Sequence, residues 1–215
     1  MIISIDGPAG SGKSTVANVL AKKLGFVHFN SGSLYRGITA FLLEQQEDAT
    51  YVDDNLLKNI SLSVKFINGV QHVFVNSKDY TSMLRNNNIS VASPEISKIP
   101  LVRKIADECQ RNFASQNNVV IDGRDIGSFV FPNAEFKFYL DCSVKVRAKR
   151  RFAEEKLKNN NVTLEEIEKE LIVRDEIDKK KEIAPLVIPK NAVIIDSSTL
   201  TVNDVVNKML SYIKI

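Results

Sequence analysis

The chain has 215 residues, 44% hydrophobic and 26% charged, with a formal net charge of +3. This profile fits one soluble domain with a sizeable core, and the mild positive balance suits an anionic small molecule while falling short of a nucleic-acid-binding signature. No apolar run is long enough to span a membrane. "MIISIDG" lacks the flank and length of a signal peptide, and Cys109 and Cys142, without C-x-x-C spacing, fit reduced thiols in a cytoplasmic protein.

In chain order, "IISI" (2–5) reads as a short apolar strand. "GPAGSGKST" (Gly7, Pro8, Ala9, Gly10, Ser11, Gly12, Lys13, Ser14, Thr15) fits G-x-x-x-x-G-K-[ST], follows that strand and opens the predicted helix 14–24. The glycines let successive N–H groups curl toward one point, and the helix N-terminus adds its dipole. Lys13 brings a cation to the β- and γ-phosphates, and the Ser14 hydroxyl can ligate Mg²⁺. A nucleoside triphosphate with Mg²⁺ is the expected ligand.

"FVHF" (26–29) is a second strand, and "NSGSLYRG" (30–37) leads into a helix whose apolar face is Leu34, Ile38, Phe41 and Leu42. Ser31, Gly32 and Ser33 gather hydroxyls and amides near that helix start, with Tyr35 and Arg36 in its first turn. Residues 62–81 read as antiparallel strands joined at Asn68-Gly69, an insertion on an α/β core. Pro100 starts a helix with Val102, Ile105, Cys109 and Phe113 as its expected buried stripe and Arg103 on the flank.

"VVIDGRDIG" (119–127) ends an apolar run in Asp122, Gly123, Arg124 and Asp125, which leaves open a metal site, a substrate clamp or a polar turn. "EFKFYLD" (135–141) and "AVIID" (192–196) are further strands. Strands alternating with helices predict a parallel sheet with helices on both faces. Between those strands lies a charged, mainly helical stretch, 144–185. In "KVRAKRR", Arg147, Arg150 and Arg151 are candidates for transition-state charge. "KLKNNNV" (156–162) is a polar break, and Thr163 with Glu166 forms a capping box. Arg174, Asp178 and Lys181 share one helical face, which Ile167 and Leu171 continue upstream, so the predicted helix runs from packed core into an anion-binding cleft as far as Pro185. Asp175 with Lys179 and Glu176 with Lys180 read as surface pairs. His28 and His72 stand alone and read as structural.

There is no N-K-x-D motif for a GTPase, since Asn207-Lys208 is followed by Met209-Leu210, and the chain is short for a helicase. Taken together, "DGPAGSGKST" (6–15), "SGSLYR" (31–36), "IPLVR" (99–103), "DGRDIG" (122–127), "VFPNA" (130–134) and "VRDEID…APL" (173–186) resemble the bacterial cytidylate kinases, within the nucleoside monophosphate kinases, over essentially the whole chain. An adenylate kinase is expected to carry Gly in place of Ser14. The resemblance implies a five-stranded parallel core, a monophosphate-binding region within 31–102 and a lid near 150–185. It further implies ATP- and Mg²⁺-dependent phosphorylation of CMP or dCMP. By matching position, Ser31 and Asp125 hold sugar hydroxyls. Arg36, Arg124 and Lys181 hold the acceptor phosphate, with Arg103 nearby. Tyr35 lines the pocket, Arg174 and Asp178 read the cytosine edge, and Arg150 closes over the ATP phosphates. Lys13, Arg124, Asp125 and Arg150 form the expected catalytic set, and Ser14 with Asp122, acting through water, the metal set. Two departures stand out: Lys181 where the family has Arg, and Pro94 where it has a base-contacting Ser, with Ser93 adjacent. A kinase for UMP or another monophosphate, or a P-loop ATPase acting as a regulator, are the alternatives. A monomer that binds only small nucleotides, neither nucleic acid nor membrane, is expected.

Overall fold

The structure is a computed structural model and describes residues 1–45, 54–157 and 162–214. Residues 158–161 of the polar break expected at 156–162 therefore lie outside the described residues. The chain divides into two compact units, Met1–His28 with Asn118–Ile215, and Phe29–Asn117.

The principal sheet has five strands: β1 (Ile2–Asp6), β2 (Val27–Asn30), and three later ones, named below with the insertion strands β3–β5 counted between. These are β6 (Val119–Gly123), β7 (Phe136–Asp141) and β8 (Val193–Asp196), in the order β2-β6-β1-β7-β8. β6 and β7 both pair parallel with β1, and β8 pairs parallel with β7. Strands covered on both faces read as apolar runs because neither face meets water. Ile3, Ile5, Val120, Phe138 and Leu140 accordingly sit in one core with Val16, Ala17 and Leu20 of α1 (Lys13–Leu24) and Val205, Val206 and Met209 of α8 (Val202–Tyr212). The sheet reverses direction of growth at β1, with β6 on one side and β7 on the other. The carboxyl ends of strands beside such a switch point are where open α/β sheets bind ligands.

The same unit carries α6 (Val144–Leu157) and α7 (Leu164–Lys179). Thr163 caps α7 reciprocally with Glu166, as the sequence indicates. Two expectations for this region are corrected. α7 ends at Lys179 instead of continuing toward Pro185, so Lys181 follows the helix and does not share its face. Asp175 is buried against Arg147 of α6 and is no surface partner of Lys179. The inward stripe is Ile167, Leu171, Asp175 and Asp178. The Glu176–Lys180 surface pair is present at 3.0 Å.

The Phe29–Asn117 unit contains α2 (Gly32–Gln45), the short α3 (Asp54–Lys58), and the antiparallel sheet β3 (Leu62–Ile67), β4 (Val70–Val75) and β5 (Lys78–Asp79). α4 (Asn87–Ile96) and α5 (Pro100–Ala114) complete it. Asn68-Gly69 turns the first hairpin with φ of 52° and 76°, the left-handed pair that a two-residue turn requires. Asn76-Ser77 makes a second such turn into β5. Gly37 of α2 admits β4 closely, since a Cβ there would stand 2.5 Å from Val73 Cγ1. α5 overturns its expected stripe. Val102 is buried, but the remaining buried positions are Arg103, Ala106, Asp107, Gln110 and Ala114, while Ile105, Cys109 and Phe113 are half-buried. Arg103 is thus an interior cation rather than a flank residue.

Candidate active site

The loop between β1 and α1 is shaped by glycine. Gly12 sits at φ 91° at the helix N-cap, a conformation that side chains disfavour. Gly7 has φ 150°, and a Cβ there would run into the Leu140 carbonyl of β7. The helix N-terminus therefore opens directly on the loop, where its unsatisfied N–H groups make an anion site. Lys13 is 5% exposed, and its Nζ donates to the Pro8 carbonyl at 2.7 Å. Burial, then the Arg124 charge, push its pKa well below the usual lysine range, against the pull of Asp122, Asp6 and Asp178. An ammonium so starved of water gains strongly from a phosphate.

The Ser14 Oγ–H donates to Asp122 Oδ2 at 2.6 Å, and His28 Nε2 lies 2.7 Å from Asp122 Oδ1. Burial alone would raise the Asp122 pKa. The bond and charge of His28, the Ser14 hydroxyl and Lys13 outweigh it and hold the carboxyl below its ordinary value. His28, read from sequence as an isolated structural residue, is therefore a direct partner of the expected metal pair. Only its strand position next to β6 could have signalled this.

Beyond Asp122, a π-helical turn at Ile126–Val130 is nucleated on the Asp125 carbonyl, which accepts the N–H groups of Phe129 (2.9 Å) and Val130 (3.1 Å). Such turns recur at functional sites. Asp6, fully buried at the end of β1, accepts the N–H of Ile126 and of Gly127, each at 2.7 Å. Burial raises its pKa to about 7 against those two bonds. Asp6 thus ties the strand that leads into the phosphate loop to the turn that carries Arg124 and Asp125, a role the sequence reading missed. Asp125 itself is 6% exposed.

Asp178 is braced on both oxygens: Arg124 Nε donates to Oδ2 at 2.9 Å and Lys181 Nζ lies 3.0 Å from Oδ1. Burial works against its charge, but Arg124 and Lys181 hold its pKa below the usual carboxylate value. Arg174 is half-buried on α7. The three arginines of α6 have different surroundings. Arg147 is consumed by the fold: Nε donates to the Cys142 carbonyl at 2.9 Å, Nη1 to the Ala9 carbonyl at 2.9 Å, and Nη1 and Nη2 to Asp175 at 3.1 and 2.5 Å. Arg151 pairs with Glu170 at the surface. Arg150 lies beside the phosphate loop, with Nη1 3.5 Å from the Ser11 carbonyl and Nη2 donating to the Ser197 carbonyl at 2.7 Å. Of the three, Arg150 alone lies next to the phosphate loop with no carboxylate partner in the described structure.

In the other unit, Ser31 is buried just before α2. Ser33 is spent locally, donating to the Asn30 carbonyl at 2.6 Å and accepting from Gln71 Nε2 at 2.7 Å. The Arg103 guanidinium lies 5.7 Å from the Tyr35 ring centroid, within cation–π range. Its Nη2 stands 4.0 Å from Asp107. Arg36 is half-buried. Pro94 lies inside α4, and the Ser93 hydroxyl turns back to the Ile89 carbonyl at 2.5 Å.

A glycine-shaped loop of the G-x-x-x-x-G-K-[ST] pattern, set between the first strand and first helix at the switch point of a five-stranded parallel sheet, is the arrangement of the P-loop nucleotide-binding proteins. Solved structures share the fold: shikimate kinase from Acinetobacter baumannii in complex with shikimate (TM-score 0.51, 16% identity, 98% of this chain and 91% of that one), and TT1252 from Thermus thermophilus (TM-score 0.51, 15% identity, 100% and 98%). The family model described as cytidylate kinase matches residues 3–215. The cytidylate kinases of Thermotoga sp. (strain RQ2) and Carboxydothermus hydrogenoformans are 40% and 41% identical, over 99% of this chain and 96% and 97% of theirs. The chain belongs to the cytidylate kinase family, a family of ATP-using kinases whose reaction is phosphoryl transfer to CMP or dCMP. No helix among the described residues is long and apolar enough to cross a membrane.

Proposed function

We propose that the loop of residues 7–15 holds ATP with Mg²⁺ and that Arg124, Asp125 and Lys181 present CMP or dCMP for attack on the γ-phosphorus. The observation that carries this reading is the bracing of two cations on Asp178, which takes Arg124 through Nε alone and leaves the terminal guanidinium nitrogens for a phosphate. Ser31 and Asp125 serve the sugar hydroxyls, and Arg36 and Arg103 serve the acceptor phosphate. Tyr35 lines the nucleotide pocket, and Arg174 with Asp178 serves the base. Regions 31–102 and 150–185 act as monophosphate-binding region and lid, with residues 46–53 and 158–161 outside the described part. Function as a cytoplasmic monomer on free nucleotides, without nucleic acid, completes the proposal.

The donor set fits Mg²⁺: a serine hydroxyl and a carboxylate are hard oxygen donors. Among the described residues no cluster of three or more His, Cys, Asp or Glu could hold a metal. A Ser14–Asp122 pair that leaves most positions to phosphate and water is the habit of this ion. Bound there, Mg²⁺ would supply positive charge against the triphosphate, with Ser14 and Asp122 as the chain's own contributors to its surroundings. The acceptor phosphate is already an anionic nucleophile, so no general base is needed. Lys13 and Arg150 stabilise the phosphoryl group in transit, and catalysis rests on position and charge.

ADP release measured over CMP, dCMP, UMP, AMP and GMP tests the reading. CMP and dCMP should be turned over fastest. Release that needs no monophosphate would overturn the acceptor assignments. Lys181→Ala should raise the KM for CMP about 10-fold or more, the loss of one charged hydrogen bond of about 1.5–3 kcal/mol, and leave the KM for ATP within twofold. Equal losses for both nucleotides would move Lys181 to the donor side. Lys181→Arg should match or exceed the parent enzyme.

A further inference from the structure

We infer that His28 is a positioning residue for the metal-holding pair, fixing the rotation of the Asp122 carboxylate so that Oδ2 stays on Ser14. The inference rests on the Mg²⁺ assignment of Ser14 and Asp122 made above.

The geometry is a relay across three elements: His28 on β2, Asp122 on β6 and Ser14 in the first turn of α1. Nε2 lies 2.7 Å from Oδ1, and the Ser14 hydroxyl donates to Oδ2 at 2.6 Å. The Asp122 side chain is 4% exposed, and a buried carboxylate is stabilised by a donor on each oxygen. A carboxylate turns easily about its last bond, so a single hydroxyl cannot fix its plane. His28 supplies the second point: with Nε2 donating to Oδ1, the plane is set, and Oδ2 and the serine oxygen keep one mutual position. An imidazole that served only for packing would not need to aim a ring nitrogen at a buried carboxylate, and a Leu or Phe on β2 would do as well. Residues that hold a metal's ligands in place from behind contribute about 10–100-fold to metal affinity.

The test is Mn²⁺ binding to the protein saturated with ADP, followed by loss of the free-ion EPR signal. ADP affinity in EDTA is measured in parallel. His28→Leu should weaken Mn²⁺ about 10-fold or more while ADP affinity in EDTA stays within twofold. His28→Gln, which restores a neutral N–H donor of similar reach, should recover most of the loss. Should His28→Leu fold poorly, His28→Phe is the substitute apolar variant, and either is compared with His28→Gln. Mn²⁺ affinity within twofold of the parent in the apolar variant would overturn the inference, and so would a Gln variant as impaired as Leu. A parent protein whose ADP complex takes up no Mn²⁺ would overturn the metal assignment itself, a result distinct from either.

Discussion

Arg147→Met removes the cation that joins α6, α7 and the phosphate loop. The residue is 4% exposed and donates to the Ala9 and Cys142 carbonyls and to both oxygens of Asp175, which is itself 9% exposed. Breaking a buried pair from one side costs about 3–5 kcal/mol because the remaining charge is stranded. Each orphaned carbonyl adds up to about 1–3 kcal/mol unless water reaches it. With partial relaxation of Asp175 toward solvent, the expected loss is about 4–5 kcal/mol, large for one substitution. Arg147→Met with Asp175→Leu leaves no stranded carboxylate and should regain about 2 kcal/mol or more over the single variant. Urea unfolding of the three proteins, with slopes compared as well as midpoints, measures this. A loss under about 1 kcal/mol, or a double variant no better than the single, would show that Arg147 is not the buried clamp described. The KM for ATP should also rise in the single variant, because the Ala9 carbonyl belongs to the phosphate loop.

Two further outcomes follow from the clasp at the end of β1. A methyl group at Gly127 would stand 2.5 Å from Ser4 Oγ and 3.1 Å from Asp6 Oδ2, so Gly127→Ala should cost about 1–3 kcal/mol as an overpacked site and raise the KM for CMP more than that for ATP. Parent-like melting would refute the close approach. The Asp6 pKa is raised to about 7, above its unfolded value of 3.8. The folded protein therefore retains a proton that the unfolded chain releases between about pH 4 and 7, and this contribution to stability falls as pH rises through that window. Subtracting the urea midpoints of Asp6→Asn from those of the parent across that range should give a declining difference. A flat or rising one would mean that the two N–H bonds keep Asp6 ionised throughout.

The alternation of apolar strands and helices made the parallel sheet legible, and the context of residues 7–15, strand before and helix after, made the glycine-shaped turn between β1 and α1 legible. What escaped the sequence depends on partners remote along the chain. Asp175 looks like half of a surface pair with Lys179, because spacing along one helix is visible while Arg147, on another helix, is not. On α5, periodicity places apolar side chains inside. The structure also buries Arg103, Asp107 and Gln110: Arg103 lies 4.0 Å from Asp107 and over the Tyr35 ring, and Gln110 Nε2 donates to the Ala106 carbonyl at 3.3 Å, contacts that periodicity does not show. Asp6 reads as the last residue of a strand, and its hold on Ile126 and Gly127 exists only because β1 and β6 align Asp6 with Gly123. By spacing, Lys181 continues a helical face, but spacing alone does not reveal that α7 stops at Lys179.

The register of β1 also bears on how the chain comes off the ribosome. β1 is made before the other strands of its sheet and is the most central of them, yet Ile2 pairs with Val119 and Ile3 with Phe136. At about 5–20 residues per second, the strand that leads into the phosphate loop waits on the order of ten seconds for its first neighbour. Phe29–Asn117, whose contacts are nearer in sequence, can consolidate in that interval. Nucleotide capture is therefore among the last abilities a nascent chain acquires, and a chain truncated before Val119 would expose an unpaired apolar strand, the kind of segment that invites association.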